Sequence, residues 1–144
     1  MKHAALLLLL TAPGTAQAAV DWAGADASTT GFGVHAGLAL LPLPFVGTLG
    51  AEASGERGWT PQSPGRLAAG LTLRDLNLPL TRVDAFATLG AEYRTASSAQ
   101  SSLLAGYAEA GFRGPLLGPA GWRMFARAST SGQVTAGLGL ELRF

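Results

Sequence analysis

An alternation of period two constrains this chain more than any other feature. Val134, Ala136, Leu138, Leu140, Leu142 and Phe144 fall on one face of an extended segment, and Thr135, Gly137, Gly139, Glu141 and Arg143 fall on the other. Strict alternation over these eleven residues is a strand signal, because a helix would gather apolar residues at every third or fourth position instead. Upstream, Val83, Ala85, Ala87, Leu89, Ala91 and Tyr93 oppose Asp84, Phe86, Thr88, Gly90, Glu92 and Arg94. Leu67, Ala69, Leu71 and Leu73 oppose Arg66, Ala68, Gly70, Thr72 and Arg74. Weaker strands cover 32–40, 45–54, 104–113 and 122–129, and a short one around Val20 and Trp22 would make eight.

The charges obey the same parity. On the seven clear strands one face carries no charged residue, while the other carries Glu52, Arg66, Arg74, Asp84, Glu92, Arg94, Glu109, Arg113, Arg123, Arg127, Glu141 and Arg143. One charge on each of six strands only sets the phase; the other six agree by chance roughly once in 64. The connections alternate too. Segments 41–44, 77–81 and 114–121 are Pro/Gly turns with apolar residues, whereas 55–65, 95–102 and 129–133 are polar and rich in Ser, Gly and Thr. Thr48-Leu49-Gly50-Ala51-Glu52 returns as Thr88-Leu89-Gly90-Ala91-Glu92, a 40-residue echo that fits an up-and-down antiparallel meander.

Composition narrows the class. With 48% hydrophobic and 13% charged residues the chain is not of the disordered kind, and with no Cys it is neither a disulfide scaffold nor a Cys-ligated zinc module. It has no apolar run long enough for a transmembrane helix. Lys2, the apolar run 4–10, Pro13-Gly14 and Ala16-Gln17-Ala18 predict a signal peptide, 1–18, cleaved after Ala18. Residues 19–144 then form one domain whose nine Arg balance nine acids, with no basic patch for a nucleic acid.

An amphipathic sheet can close with its charged face outward, as in a soluble lipocalin-like barrel, or inward, as in a transmembrane barrel. Three observations favour the second. Aromatic residues on the apolar face cluster at strand ends: Phe45, Phe112, Trp122 and Phe144 beside the Pro/Gly turns, Phe32 and Tyr93 beside the polar loops, as two girdles would. The charged fraction of 13% is about half that of an ordinary soluble domain. Small Ala and Gly alternate with Leu on the apolar face, which packs a core poorly but suits fluid lipid.

Signal peptide, alternating strands, short turns and the ending Gly137-Leu138-Gly139-Leu140-Glu141-Leu142-Arg143-Phe144 together resemble the small outer-membrane β-barrels of the OmpA/OmpX-like superfamily. The resemblance implies an all-β, antiparallel, up-and-down transmembrane barrel of eight strands in the bacterial outer membrane. It also implies a monomer surrounded by lipid, delivered by periplasmic chaperones and inserted by the barrel-assembly machinery, which would read Leu138, Leu140, Leu142 and Phe144. The chain departs from the pattern in its first strand, since only 19–30 are available for that strand and its loop.

Eight strands enclose a lumen that side chains can fill. The inward Glu52, Arg74, Asp84, Glu92, Arg94, Glu109, Arg113, Arg127, Glu141 and Arg143 predict an Arg–carboxylate network, bidentate where geometry permits, with arginine in excess. A structural plug is the favoured reading, and the excess leaves a narrow anion-preferring pore as the alternative. Catalysis is not expected. After signal removal His35 is the one His, inward on a strand and without a Ser–Asp constellation, so a packed, hydrogen-bonded role is expected and no metal or cofactor site. The polar loops are short for an adhesin; Trp59 is either a contact residue or, the favoured reading, folded back onto the rim. The expected role is structural or surface contact in the cell envelope.

Overall fold

A computed structural model describes residues 21–98 and 100–144; the predicted signal peptide lies outside the described residues. Eight antiparallel strands form one closed barrel in sequential order: β1 (Trp22–Ser28), β2 (Gly31–Leu43), β3 (Gly47–Gly58), β4 (Arg66–Asn77), β5 (Asp84–Arg94), β6 (Leu103–Leu117), β7 (Ala120–Ser129) and β8 (Val134–Arg143). The seam between β8 and β1 runs from Trp22 opposite Arg143 to Ser28 opposite Gly137, and is finished by the Phe144 N–H donating to the Asp21 carbonyl at 2.9 Å. Closure leaves no unpaired strand edge, the requirement for any sheet placed in hydrocarbon. The short first strand is therefore sufficient: β1 and β2 are joined by Thr29 and Thr30 alone.

Most strands are longer than the sequence predicts. β3 continues through Gly58, so the polar connection is 59–65 and not 55–65. At the other end the predicted turns 41–44 and 114–121 shrink to 44–46 and 118–119, because Pro42 and Pro115 lie within β2 and β6. Register shifts occur near both prolines, between Ala39 and Leu41 and between Pro115 and Leu117. A bulge is where a strand tolerates a residue without an N–H, so these prolines do not end their strands. A third shift, between Leu73 and Leu76, leaves Asp75 with φ +59°. The connections 44–46, 78–83 and 118–119 share one end with the seam's Trp22 and Phe144; we call this the turn end, and the opposite one the loop end.

The two walls have opposite chemistry. Leu38, Leu67, Leu71, Leu89, Leu138 and Leu140 stand exposed on the outer surface. An apolar girdle around the barrel far exceeds the patches that water-soluble surfaces carry. The core is the lumen, where Trp22, Phe86, Tyr107 and Phe125 are buried together with His35, five arginines, four glutamates, and Thr72, Thr88 and Thr135. Phe32 and Tyr93 sit on the outer wall at the loop end; Phe45, Phe112, Trp122 and Phe144 are at the turn end. Trp122 covers Gly114, where a Cβ would come within 2.7 Å of its indole nitrogen.

Candidate functional site

Parity sends every second residue of each strand into a barrel too narrow for large side chains at every position, and glycine supplies the room. A Cβ on Gly37 would lie 2.3 Å from the Trp22 ring, one on Gly137 2.4 Å from Phe125, and one on Gly111 2.9 Å from Phe86. Gly24 makes the same space for His35. The repeated Thr-Leu-Gly-Ala-Glu motif is one such unit: Gly50 lies beneath Trp22, Gly90 against Gly70, and each motif ends on a buried glutamate, Glu52 or Glu92.

The inward charges form ion pairs along the barrel. Near the turn end Arg113 pairs with Asp75 and, at 3.1 Å, with Glu141. Arg74 reaches both Glu141 oxygens with one nitrogen, Nη2, at 2.5 and 2.6 Å, and Arg143 joins at 3.4 Å. Glu52 continues the chain, 3.5 Å from Arg74 and 3.4 Å from Arg123, and accepts the Trp22 indole N–H at 2.8 Å. Arg74 lies over the Trp22 ring at 3.8 Å, and Arg123 over Phe86 at 4.7 Å, so the aromatic layer also holds cations. Arg123 pairs with Glu109 and sits 3.9 Å from Asp26. Arg127 then bridges Glu109 at 2.8 Å to Glu56 at 3.0 Å, and Glu56 accepts the Thr30 hydroxyl at 2.5 Å.

A second, separate group lies at the loop end. Arg66 pairs with Glu92 through Nε at 2.5 Å, donates to Ser54 at 3.0 Å and lies over Tyr107 at 4.7 Å. Arg94, directly opposite Arg66 in register, directs Nε and Nη2 to the other Glu92 oxygen, both at 2.8 Å. Among the described residues no ion pair joins this trio to the longer chain.

Three expectations are corrected. Arginine is not in excess: seven arginines pair with seven carboxylates among the described residues, because Asp26, Glu56 and Asp75 join the network. Glu56 falls within the predicted loop 55–65, Asp26 lies in the stretch 19–30 where parity is not readable, and Asp75 reaches Arg113 from the bulge. Asp84 stands opposite Arg113 in register, yet makes no ion pair among the described residues. Among the described residues no fork-to-fork bidentate pair forms; Arg74, Arg113, Arg123 and Arg127 instead bridge carboxylates, and Arg94 gives one oxygen two donors. Arg66 and Arg123, inward by parity, belong to the network as well.

His35 is buried, its Nδ1 2.7 Å from Asp26 and its Nε2 3.6 Å from Glu141. Trp59 folds onto the rim: its indole N–H donates to the Ser28 carbonyl at 2.9 Å and its ring lies 5.6 Å from that of Phe32. Leu138, Leu140 and Leu142 lie on the outer face of the last strand, and Phe144 is exposed just past its end. A hollow of about 300 Å³ opens at the loop-end mouth, lined by Glu56, Arg66, Arg94, Arg127, Trp59 and polar loop residues.

No protein-family model and no curated protein sequence matches the chain. Its structure is similar to the N-terminal β-barrel domain of Pseudomonas aeruginosa OprF, with a TM-score of 0.66 and 10% identity over 87% of this chain and 97% of that one. It is also similar to a de novo designed transmembrane β-barrel, with a TM-score of 0.57 and 14% identity over 87% and 93% of the two chains. This chain shares its architecture with a bacterial and a designed barrel at such low identity because inward–outward parity and strand number, not particular residues, specify it. The chain has the OmpA-like fold, the closed eight-stranded β-barrel of the outer-membrane type.

Proposed function

We propose that this chain is an integral outer-membrane protein with a structural or surface-contact role in the cell envelope, its lumen closed by paired charges. The observation that carries this reading is the pairing of an apolar outer wall with a charge-balanced interior. A lipocalin-like carrier needs an apolar-walled ligand cavity, and this lumen is occupied by ion pairs and aromatic rings. The loop end faces outward and the shorter turns face the periplasm, the usual arrangement of outer-membrane barrels. Leu138, Leu140, Leu142 and Phe144 serve the assembly machinery, and 1–18 directs export.

Cell fractionation with heat-modifiable gel mobility tests the location: the protein is expected in detergent-extracted membranes, and recovery from the soluble periplasm would overturn the reading. Planar-bilayer recording of the refolded protein tests the plug. No steady current is expected; a steady anion-selective current would replace the plug with the pore, which has lost the arginine excess that motivated it.

A further inference from the structure

We propose that the loop-end mouth binds one anionic group, a phosphate monoester or a carboxylate, on a polyhydroxylated ligand, with Arg94 holding the anion and Trp59 flanking the sugar. The inference goes beyond the structural role above and concerns the folded barrel itself.

The long ion-pair chain contains Arg74, Arg113, Arg123, Arg127 and Arg143 against Asp26, Glu52, Glu56, Asp75, Glu109 and Glu141. The separate trio has two arginines on one glutamate. The balanced total therefore hides a division: at the loop-end mouth Arg66, Arg94 and Arg127 meet Glu56 and Glu92, and positive side chains outnumber negative ones there. No loop can neutralise it: 29–30, 59–65, 95–102 and 130–133 contain no charged residue. Arg66 is buried, and its Nη2 has no hydrogen-bond partner.

Arg94 is the accessible member of the pair. Its Nε and Nη2 both go to one Glu92 oxygen, which leaves Nη1 outside the pair. It borders the 300 Å³ hollow and also a second of about 590 Å³, lined by Thr95, Gln100, Ser101, Ser102 and Gln133. Hydroxyls and amides surround a guanidinium there, which is the donor set for a sugar carrying an anion, and a guanidinium matches phosphate or carboxylate geometry. Trp59 is pinned by Ser28 and Phe32 and presents an ordered ring at the same hollow. The ligand is either a free sugar phosphate or the headgroup of a phosphorylated glycolipid in the surrounding leaflet.

The test is NMR of the refolded chain in a non-ionic detergent, following the Arg94 Nε–H and the Trp59 indole while glucose 6-phosphate or glucose is added. The sugar phosphate is expected to shift both signals saturably and to bind about tenfold more tightly than glucose, the size of one charge-assisted contact. Arg94→Gln should weaken it about tenfold while heat-modifiable mobility persists; Trp59→Ala, outside the ion pairs, should also weaken it; Arg82→Gln at the turn end should change nothing. In phosphatidylcholine nanodiscs, shifts caused by an added phosphorylated disaccharide lipid would identify the lipid as the source, and shifts from the soluble sugar alone the free ligand. No saturable shift from either source, or equal binding by the Arg94→Gln protein, would overturn the proposal.

Discussion

Leu89 and Thr88 are neighbours in β5, yet Leu89 is 68% exposed on the outer wall and Thr88 is 1% exposed in the lumen, its hydroxyl donating to Thr72 at 2.9 Å. The outer wall asks only for apolar surface, so Leu, Ala and Val interchange along it without cost to the fold. The lumen asks for particular residues, because Trp22, Phe86, Phe125 and His35 rest on glycines and buried charges need partners. Burial inside the barrel follows shape and charge; exposure outside follows the solvent.

The largest effect is expected from the lumen. Glu141 serves Arg74, Arg113 and Arg143 and lies near His35, so Glu141→Ala removes the closest partner of buried Arg74 and one of two from buried Arg113, and should cost about 3–5 kcal/mol in urea unfolding from lipid vesicles. Replacing Glu141 and Arg74 together by apolar residues of similar volume should cost less than the single change, since fewer buried charges are left unpaired. On the outer wall, Leu89→Arg should cost about 2–4 kcal/mol in a bilayer, the depth-dependent penalty for a charge facing lipid. If water bathed that wall, the same arginine would be nearly neutral. Thr88→Val removes one buried hydroxyl pair and should cost about 1–2 kcal/mol. Arg82→Gln, in an exposed turn, should stay within about 0.5 kcal/mol of the unchanged protein.

Most of the wall was legible in the sequence, and much less of the lumen. Parity alone placed Leu67, Leu89 and Leu138 outside and Glu52, Glu92 and Glu141 inside, because a strand has only two faces. Parity fails where the register shifts, which is why Asp75, at a bulge, could not be assigned to Arg113. Pro42 and Pro115 read as turns because proline usually ends a strand, and only the neighbouring register shifts show how they are accommodated. Partner choice was also illegible: Glu92 faces Arg66 and Arg94 because β4 and β5 place those two arginines opposite each other, a consequence of register across strands and not of spacing along one. Glycine at inward positions was visible as composition, but its pairing with Trp22 or Phe125 depends on strands distant in the chain.

The inside–outside contrast can be read from two tryptophans. With Trp59 replaced by Phe, one protein keeps only Trp22, 3% exposed in the lumen, and the other keeps only Trp122, on the outer wall near the turn end. Both are folded into bilayers whose lipids carry bromines near the headgroups. Strong quenching of Trp122 fluorescence with Trp22 left bright is the result expected of a lipid-facing wall around a filled lumen; no quenching of Trp122, or equal quenching of both, would contradict it.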